Sequence, residues 1–208
     1  MFRDIALPKN NEDEFVELAA KLGIKKICFL YDFDERSYEN TQKKLRSIRN
    51  NSNLIIEAGF TVTQKNIGQA SRLSKLLAVK SSGNDRFFIE SKKVRIIYGF
   101  EEFFKRDPLH QRASGLNHIV CELCRKNGVA VGLPYGSLLN KNSQIASLLI
   151  GRFVQNIRLC QKYNVKLLIG SFSDNPFDMR SPYDIISLFS LFGMDGKEIK
   201  EALSINPI

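Results

Sequence analysis

Along the chain, short apolar runs rich in β-branched residues alternate with amphipathic stretches of ten to twenty residues, as a parallel α/β fold requires. Seven runs read as strands: 2–7, 26–31, 54–62, 76–80, 94–98, 129–133 and 166–170. Residues 12–22 read as a helix, with Phe15, Leu18, Ala19 and Leu22 on one face, an asparagine before it as a candidate cap and Gly23 as terminator. Ser114 is a candidate cap for a helix running to Asn127, which Gly128 would end in the left-handed conformation. The stretch 143–163 carries Ala146, Leu149, Ile150, Phe153, Ile157 and Cys160 on one stripe. Ser181-Pro182 opens a helix over 183–192, and a short helix follows Asp195.

Periodicity alone does not choose between an open sheet and a closed barrel. No G-x-G-x-x-G or Walker pattern follows the first strand, where Leu7 leads into Pro8-Lys9-Asn10, so a nucleotide-binding open sheet loses weight. Seven βα units with no Gly, Pro or Ser-rich linker between them suit one compact (β/α) barrel domain over residues 1–208.

Charge changes the picture more than composition does. The 208 residues are 43% hydrophobic and 25% charged, ordinary values for a globular protein. Thirty-one Lys and Arg against 22 Asp and Glu leave a net charge of +9, which points to a polyanionic partner such as nucleic acid or an anionic membrane. Residues 123–173 contain no acid but seven cations, and residues 58–84 contain no acid but Lys65, Arg72, Lys75 and Lys80. Surface helices usually interleave both signs, so single-sign segments favour an anionic ligand, with phosphate the natural candidate. Phe87, Phe88, Tyr98, Tyr135 and Phe172 lie among the cations and would stack bases if exposed. The first residues run into Pro8, two asparagines and three acids, and no apolar run approaches the ~18 residues of a membrane span. The expectation is a cytoplasmic protein with reduced thiols and no membrane partner.

Candidate chemistry is sparse. Barrel enzymes act at strand C-terminal ends, which here offer Asp32, Asp34, Ser81, Ser82, Tyr98, Tyr135, Ser171 and Ser173. The two histidines, His110 and His118, stand in no metal-binding pattern. Asp32 and Asp34 could work as an acid/base pair, but capping of the following helix is favoured. Cys121 and Cys124 form a C-x-x-C whose favoured role is core packing, with Cys28 and Cys160 isolated. His118 could be a general base near Ser114, and a packed or phosphate-contacting histidine is the favoured alternative.

Three segments carry a resemblance: S-G-L-N-H-I-V-C-E-L-C-R-K-N-G-V-A-V-G-L from Ser114, G-R-F-V-Q-N-I-R-L-C-Q-K-Y-N-V from Gly151, and D-M-R-S-P-Y-D-I from Asp178. Together they resemble the ribonuclease P protein component 3 family, the archaeal relative of the eukaryotic thirty-kilodalton subunit. The resemblance implies a TIM-like barrel related to metal-dependent phosphatases of the polymerase-and-histidinol-phosphatase type, without their metal ligands. It implies a subunit that binds and stabilises the catalytic RNA, which removes the 5′ leader of precursor tRNA using its own Mg2+, the protein holding no cofactor. The implied partners are that RNA, precursor tRNA indirectly, a small ferredoxin-like subunit in a heterotetramer, and other ribonuclease P proteins. Carried over by position, the family's polar residues fall on Arg112, Asn117, His118, Lys126, Arg152, Asn156, Arg158, Lys162 and Arg180, and Arg95 and Arg125 complete the expected RNA-binding set. No catalytic or metal residue is expected. One departure is Ser171-Phe172-Ser173, where a serine pair followed by glycine is the family expectation. The rival readings are a metal-dependent phosphoesterase using Asp4, Asp32, Asp34 and His118, and an RNA chaperone unconnected with tRNA.

Overall fold

The computed structural model describes residues 2–139 and 141–204. Seven strands, β1 (Arg3–Ala6), β2 (Lys26–Asp32), β3 (Ile55–Thr61), β4 (Leu77–Lys80), β5 (Ile96–Tyr98), β6 (Ala130–Pro134) and β7 (Leu167–Gly170), pair in sequence order, every pair parallel. Between and after them lie α1 (Glu12–Lys21), α2 (Glu35–Asn50), α3 (Ile67–Leu73), α4 (Asp85–Glu90), α5 (His118–Asn127), α6 (Ser143–Lys162), α7 (Pro182–Leu191) and α8 (Gly196–Ser204). The sheet closes on itself: the Phe172 amide donates to Ile5 O at 2.7 Å and the Leu7 amide to Ser173 O at 2.9 Å. Gly170 permits this closure, because a Cβ there would stand 2.8 Å from Ile5 Cβ. The architecture is a seven-stranded, TIM-like barrel.

Each expected strand is present, with bounds shifted by one or two residues. Two expected caps are not. Asn11 makes no cap bond to α1, its amide group instead spanning the Lys9 amide (2.8 Å) and Asp174 O (2.9 Å). Ser114 is buried four residues before α5, and Asn117 caps that helix by accepting from the Val120 amide at 2.9 Å. Gly128 (φ 67) ends α5 as expected, and Ser181 accepts from the Asp184 amide with Pro182 in the first turn of α7.

The barrel interior is filled by one residue or two from six of the strands, including Ile5, Cys28, Leu30, Ala78, Ile96, Ala130 and Leu168, with Tyr98 and Phe172 towards the C-terminal end, while β3 brings Gly59 against Leu30 and Leu76. Several are small, which lets seven strands close tightly. At the N-terminal end Lys26 and Glu57 pair at 2.6 Å beside buried Arg3. The larger apolar layer lies between the outside of the strands and the helices, each fully buried Leu, Ile or Phe there stabilising the fold by roughly 1.5–3 kcal/mol. Among the described residues no helix is long and apolar enough to cross a membrane.

Candidate nucleic-acid interface

The strand C-terminal ends surround a cavity of about 450 Å³. Its floor is Leu30 with the stacked rings of Tyr98 and Phe172, centroids 4.6 Å apart. Gly132 makes room for that pair, since a Cβ there would meet Tyr98 Cβ at 2.7 Å and the Phe172 ring at 2.9 Å. At the rim Lys9 pairs with Asp174 at 2.5 Å and Lys80 with Glu102 at 2.7 Å, Asp32 accepts from Thr61 Oγ1 at 2.5 Å, and Lys141 also lines the cavity.

The four groups a phosphoesterase would need do not converge. Asp4 is buried at the β1–β7 seam and does not line the cavity, accepting from the Ser171 amide (2.6 Å), the Ser171 hydroxyl (2.7 Å) and Tyr135 Oη (3.3 Å). Burial raises its carboxyl above the usual value despite those donors, and burial likewise raises the Tyr135 phenol. Asp34 caps α2 by accepting from the Ser37 amide at 3.1 Å, as the capping reading expects. His118 opens α5 on the exposed outer surface. Among the described residues no three His, Cys, Asp or Glu side chains are grouped to hold a metal.

Cys121 and Cys124 are buried with free thiols, Cys121 hydrogen-bonded to the buried thiol of Cys160 across the α5–α6 contact. Burial pushes Cys124, like Cys28 inside the barrel, up to about 12, so the C-x-x-C is core rather than a reactive pair. Of the five aromatics considered for base stacking, Phe87 alone is exposed; Phe88, Tyr98, Tyr135 and Phe172 are buried.

Exposed Lys9, Lys80 and Lys141 line the cavity, and the exposed cations of the expected RNA-binding set lie outside it. Arg158 and Lys162 on the outer face of α6, with Val154, Gln155 and Leu159, line an open basin of about 310 Å³ that Arg112 enters from the preceding long loop. Gly151 is the reason Arg112 can lie there: a Cβ at that position would stand 2.8 Å from Arg112 Nε. On the adjacent α5, Asn117 and His118 are exposed in the first turn, and Arg125 and Lys126 in the last. Arg95 is exposed just before β5. Arg180 is half-buried, its guanidinium donating to Phe177 O (2.7 Å) and Met179 O (2.8 Å) and so holding its own loop.

Two members of the expected RNA-binding set are corrected. Arg152 is 1% exposed and points inward, donating to Glu101 O (2.7 Å), Phe104 O (2.6 Å) and Asp107 Oδ1 (2.9 Å). Asn156, also 1% exposed, donates to Ser114 O at 3.0 Å. Both brace the loop between β5 and α5 and offer no surface to a nucleic acid. Asp107, the carboxylate that meets Arg152, carried no local signal because 45 residues separate the pair. Burial raises the Asp107 carboxyl, and the Ala113 amide and Arg152 guanidinium outweigh it, leaving it below its ordinary value. Nor are the serines after β7 free: Ser171 is buried on Asp4, and Ser173 Oγ donates to Asp178 at 2.5 Å.

A family model described as RNase P subunit p30 matches residues 106–208, the part that holds α5, the basin and the Arg180 loop. Ribonuclease P protein component 3 of Methanothermobacter thermautotrophicus is 25% identical over 222 aligned positions, covering 99% of this chain and 86% of that one. Its namesake from Methanosarcina acetivorans is 30% identical over 132 positions, covering 58% of this chain and 55% of the relative's length. A chain in the cryo-EM structure of archaeal ribonuclease P with mature tRNA shares the fold, with a TM-score of 0.77 at 19% identity over 96% of this chain and 87% of that one. The three motifs that begin at Ser114, Gly151 and Asp178 all fall within the matched region, and it is the ribonuclease P protein component 3 (subunit p30) family that the chain is similar to.

Proposed function

We propose that this chain is a protein subunit of ribonuclease P, binding and stabilising the catalytic RNA so that the holoenzyme removes the 5′ leader of precursor tRNA. The observation that carries the reading is the family match over residues 106–208, laid on a barrel whose outer face presents Arg112, Arg158 and Lys162 around an open basin. The bond-breaking chemistry then belongs to the RNA and its Mg2+, and the chain supplies phosphate-neutralising side chains: Arg95, Arg112, Arg125, Lys126, Arg158 and Lys162, with Asn117, His118 and Arg180 at the edges. Arg112 and Arg158 grip phosphates as planar forks, which lysine reproduces poorly. The partners in this reading are a small ferredoxin-like subunit, as a heterotetramer, and the remaining ribonuclease P proteins, and the compartment is the cytoplasm.

Reconstitution tests the reading. Adding the chain to the ribonuclease P RNA and the other subunits should raise precursor-tRNA cleavage at modest Mg2+, and an unchanged rate sinks the assignment. Each of Arg112→Ala, Arg158→Ala and Lys162→Ala should lower the slope of log affinity against log salt by about one, with stability altered by no more than about 0.5 kcal/mol.

A further inference from the structure

Parallel strands taken in sequence order oblige every connecting helix to run back from the strand C-terminal end to the N-terminal end. The six helix-to-strand turns from α1–β2 to α6–β7 therefore open on one face, opposite the cavity. From the last helical turn to the first strand residue these turns cover 18–26, 47–55, 70–77, 87–96, 124–130 and 159–167. Every one carries lysine or arginine, and Glu90 is the single acid among them, itself paired with Arg86 at 2.8 Å. Lys25, Arg49, Lys75, Lys93, Lys126 and Lys166, one from each turn, are all exposed. The arc is interrupted where α7 meets α8, by Asp195, Glu198 and Glu201.

Helix dipoles account for part of this, since a cation in the last turn gains roughly 0.3–1 kcal/mol. They do not reach Lys25, Lys75, Lys93 and Lys166, which lie beyond the helix ends, in the turns or directly before the strands. Like charges crowded at one end repel and oppose compaction unless a counter-charge is supplied. The cavity end has no such excess, with Asp13, Asp32, Asp34, Glu35, Asp174 and Asp184 set against its cations.

We infer that the backbone of an RNA lies along this arc at the strand N-terminal end, read through its phosphates and not its bases, with the cavity turned away from it. The inference rests on the ribonuclease P reading and adds the docking face, most of which comes from residues outside the family motifs. Exposed Asn50, Asn51 and Asn164 stand between the cations as donors for phosphate and sugar oxygens, whereas the Ser74, Ser91 and Asn127 side chains donate to backbone carbonyls of the chain itself. Three apolar side chains, Ile55, Leu73 and Phe87, are also exposed on these turns, one on each of three, whereas cations stand on all six.

Lysine-reactivity footprinting of the full chain with ribonuclease P RNA tests this. RNA should protect Lys25, Lys75, Lys93, Lys126 and Lys166 from acetylation and leave Lys65 and Lys141, at the cavity end, as reactive as in the free protein. The combined variant Lys25→Ala, Lys75→Ala, Lys93→Ala and Lys166→Ala should lower the log-log salt slope of RNA binding by about three, each lost phosphate contact removing roughly 0.7–0.9. Wild-type binding with protection at the cavity end, or an unchanged slope in the variant, overturns the docking face and leaves the RNA reading intact. A wild-type chain that does not bind the RNA overturns both. Protection of the arc by phosphatidylserine vesicles and not by RNA also overturns it.

Discussion

Arg152 offers the sharpest separation of a folding role from a binding one. Its guanidinium donates to two backbone carbonyls and one carboxylate, all on the loop between β5 and α5. Hydrogen bonds to a charged group contribute about 1.5–3 kcal/mol each, and removing one partner of a buried pair costs about 3–5 kcal/mol. The terms share one side chain and do not add, so Arg152→Ala should cost about 3–5 kcal/mol in all. For a chain of this size each kcal/mol lowers the melting temperature by roughly 2–4 °C, which sets the expected drop at about 6–20 °C. Arg152→Lys keeps the charge but lacks the planar fork that reaches several acceptors, and should recover only part of the loss. Circular dichroism melts give the stability, and RNA affinity measured well below the melting temperature should stay within about twofold of wild type, because a side chain 1% exposed reaches no phosphate. An unshifted melt together with a tenfold loss of affinity (about 1.4 kcal/mol) would refute the bracing role.

Three further outcomes follow from buried groups. Burial pushes the Glu101 carboxyl from 4.5 up to about 8, so the folded chain holds a proton that the unfolded chain releases. Stability from this group is then full below about pH 4.5 and declines as pH rises towards 8, and Glu101→Gln should flatten that decline in melts taken from pH 5 to 8; parallel pH profiles in the two proteins would count against it. Asp4→Ala removes the acceptor of the Ser171 amide and hydroxyl at the β1–β7 seam and should lower stability by about 2–4 kcal/mol in urea denaturation, whereas a change below about 0.5 kcal/mol would mean that the seam does not depend on it. Gly115 has φ +81, and a Cβ there would stand 2.3 Å from Phe100 O, so Gly115→Ala should cost about 1–3 kcal/mol, read as a lower melting temperature, and an unchanged melt would disprove the close approach.

The barrel is legible because parallel strands buried on both faces read as largely apolar runs, broken here by buried or paired charges such as Asp4 in β1 and Glu57 in β3, so all seven lie close to their expected bounds. Helix ends were legible where the signal is local, as at Gly128 and Ser181-Pro182. They were not where a loop decides which polar side chain is free, and so Asn117 and not Ser114 caps α5. Arg152 is a different case, because the signal was present in the helical phase. At 100° per residue, Arg152 and Asn156 fall within about 60° of Leu149, inside the apolar stripe, while Arg158 falls opposite it. Reading α6 by phase, and not by its lack of acids, separates the arginine that holds the fold from the one that faces out.

The same argument governs charge at the level of the whole chain. The acid-free run 123–173 is one segment in sequence, yet folding disperses its cations: Lys141 to the cavity, Arg152 to the interior, Arg158 to the outer basin, and Lys126 and Lys166 to the far end of the barrel. A linear charge run is therefore no patch in a (β/α) barrel. What the fold concentrates is whatever recurs at the same point of each βα unit, and lysine and arginine recur where helix hands over to strand. Cations spaced one to three to a turn make a curved rail of phosphate-sized contacts, which fits a bent nucleic-acid backbone better than a single pocket would.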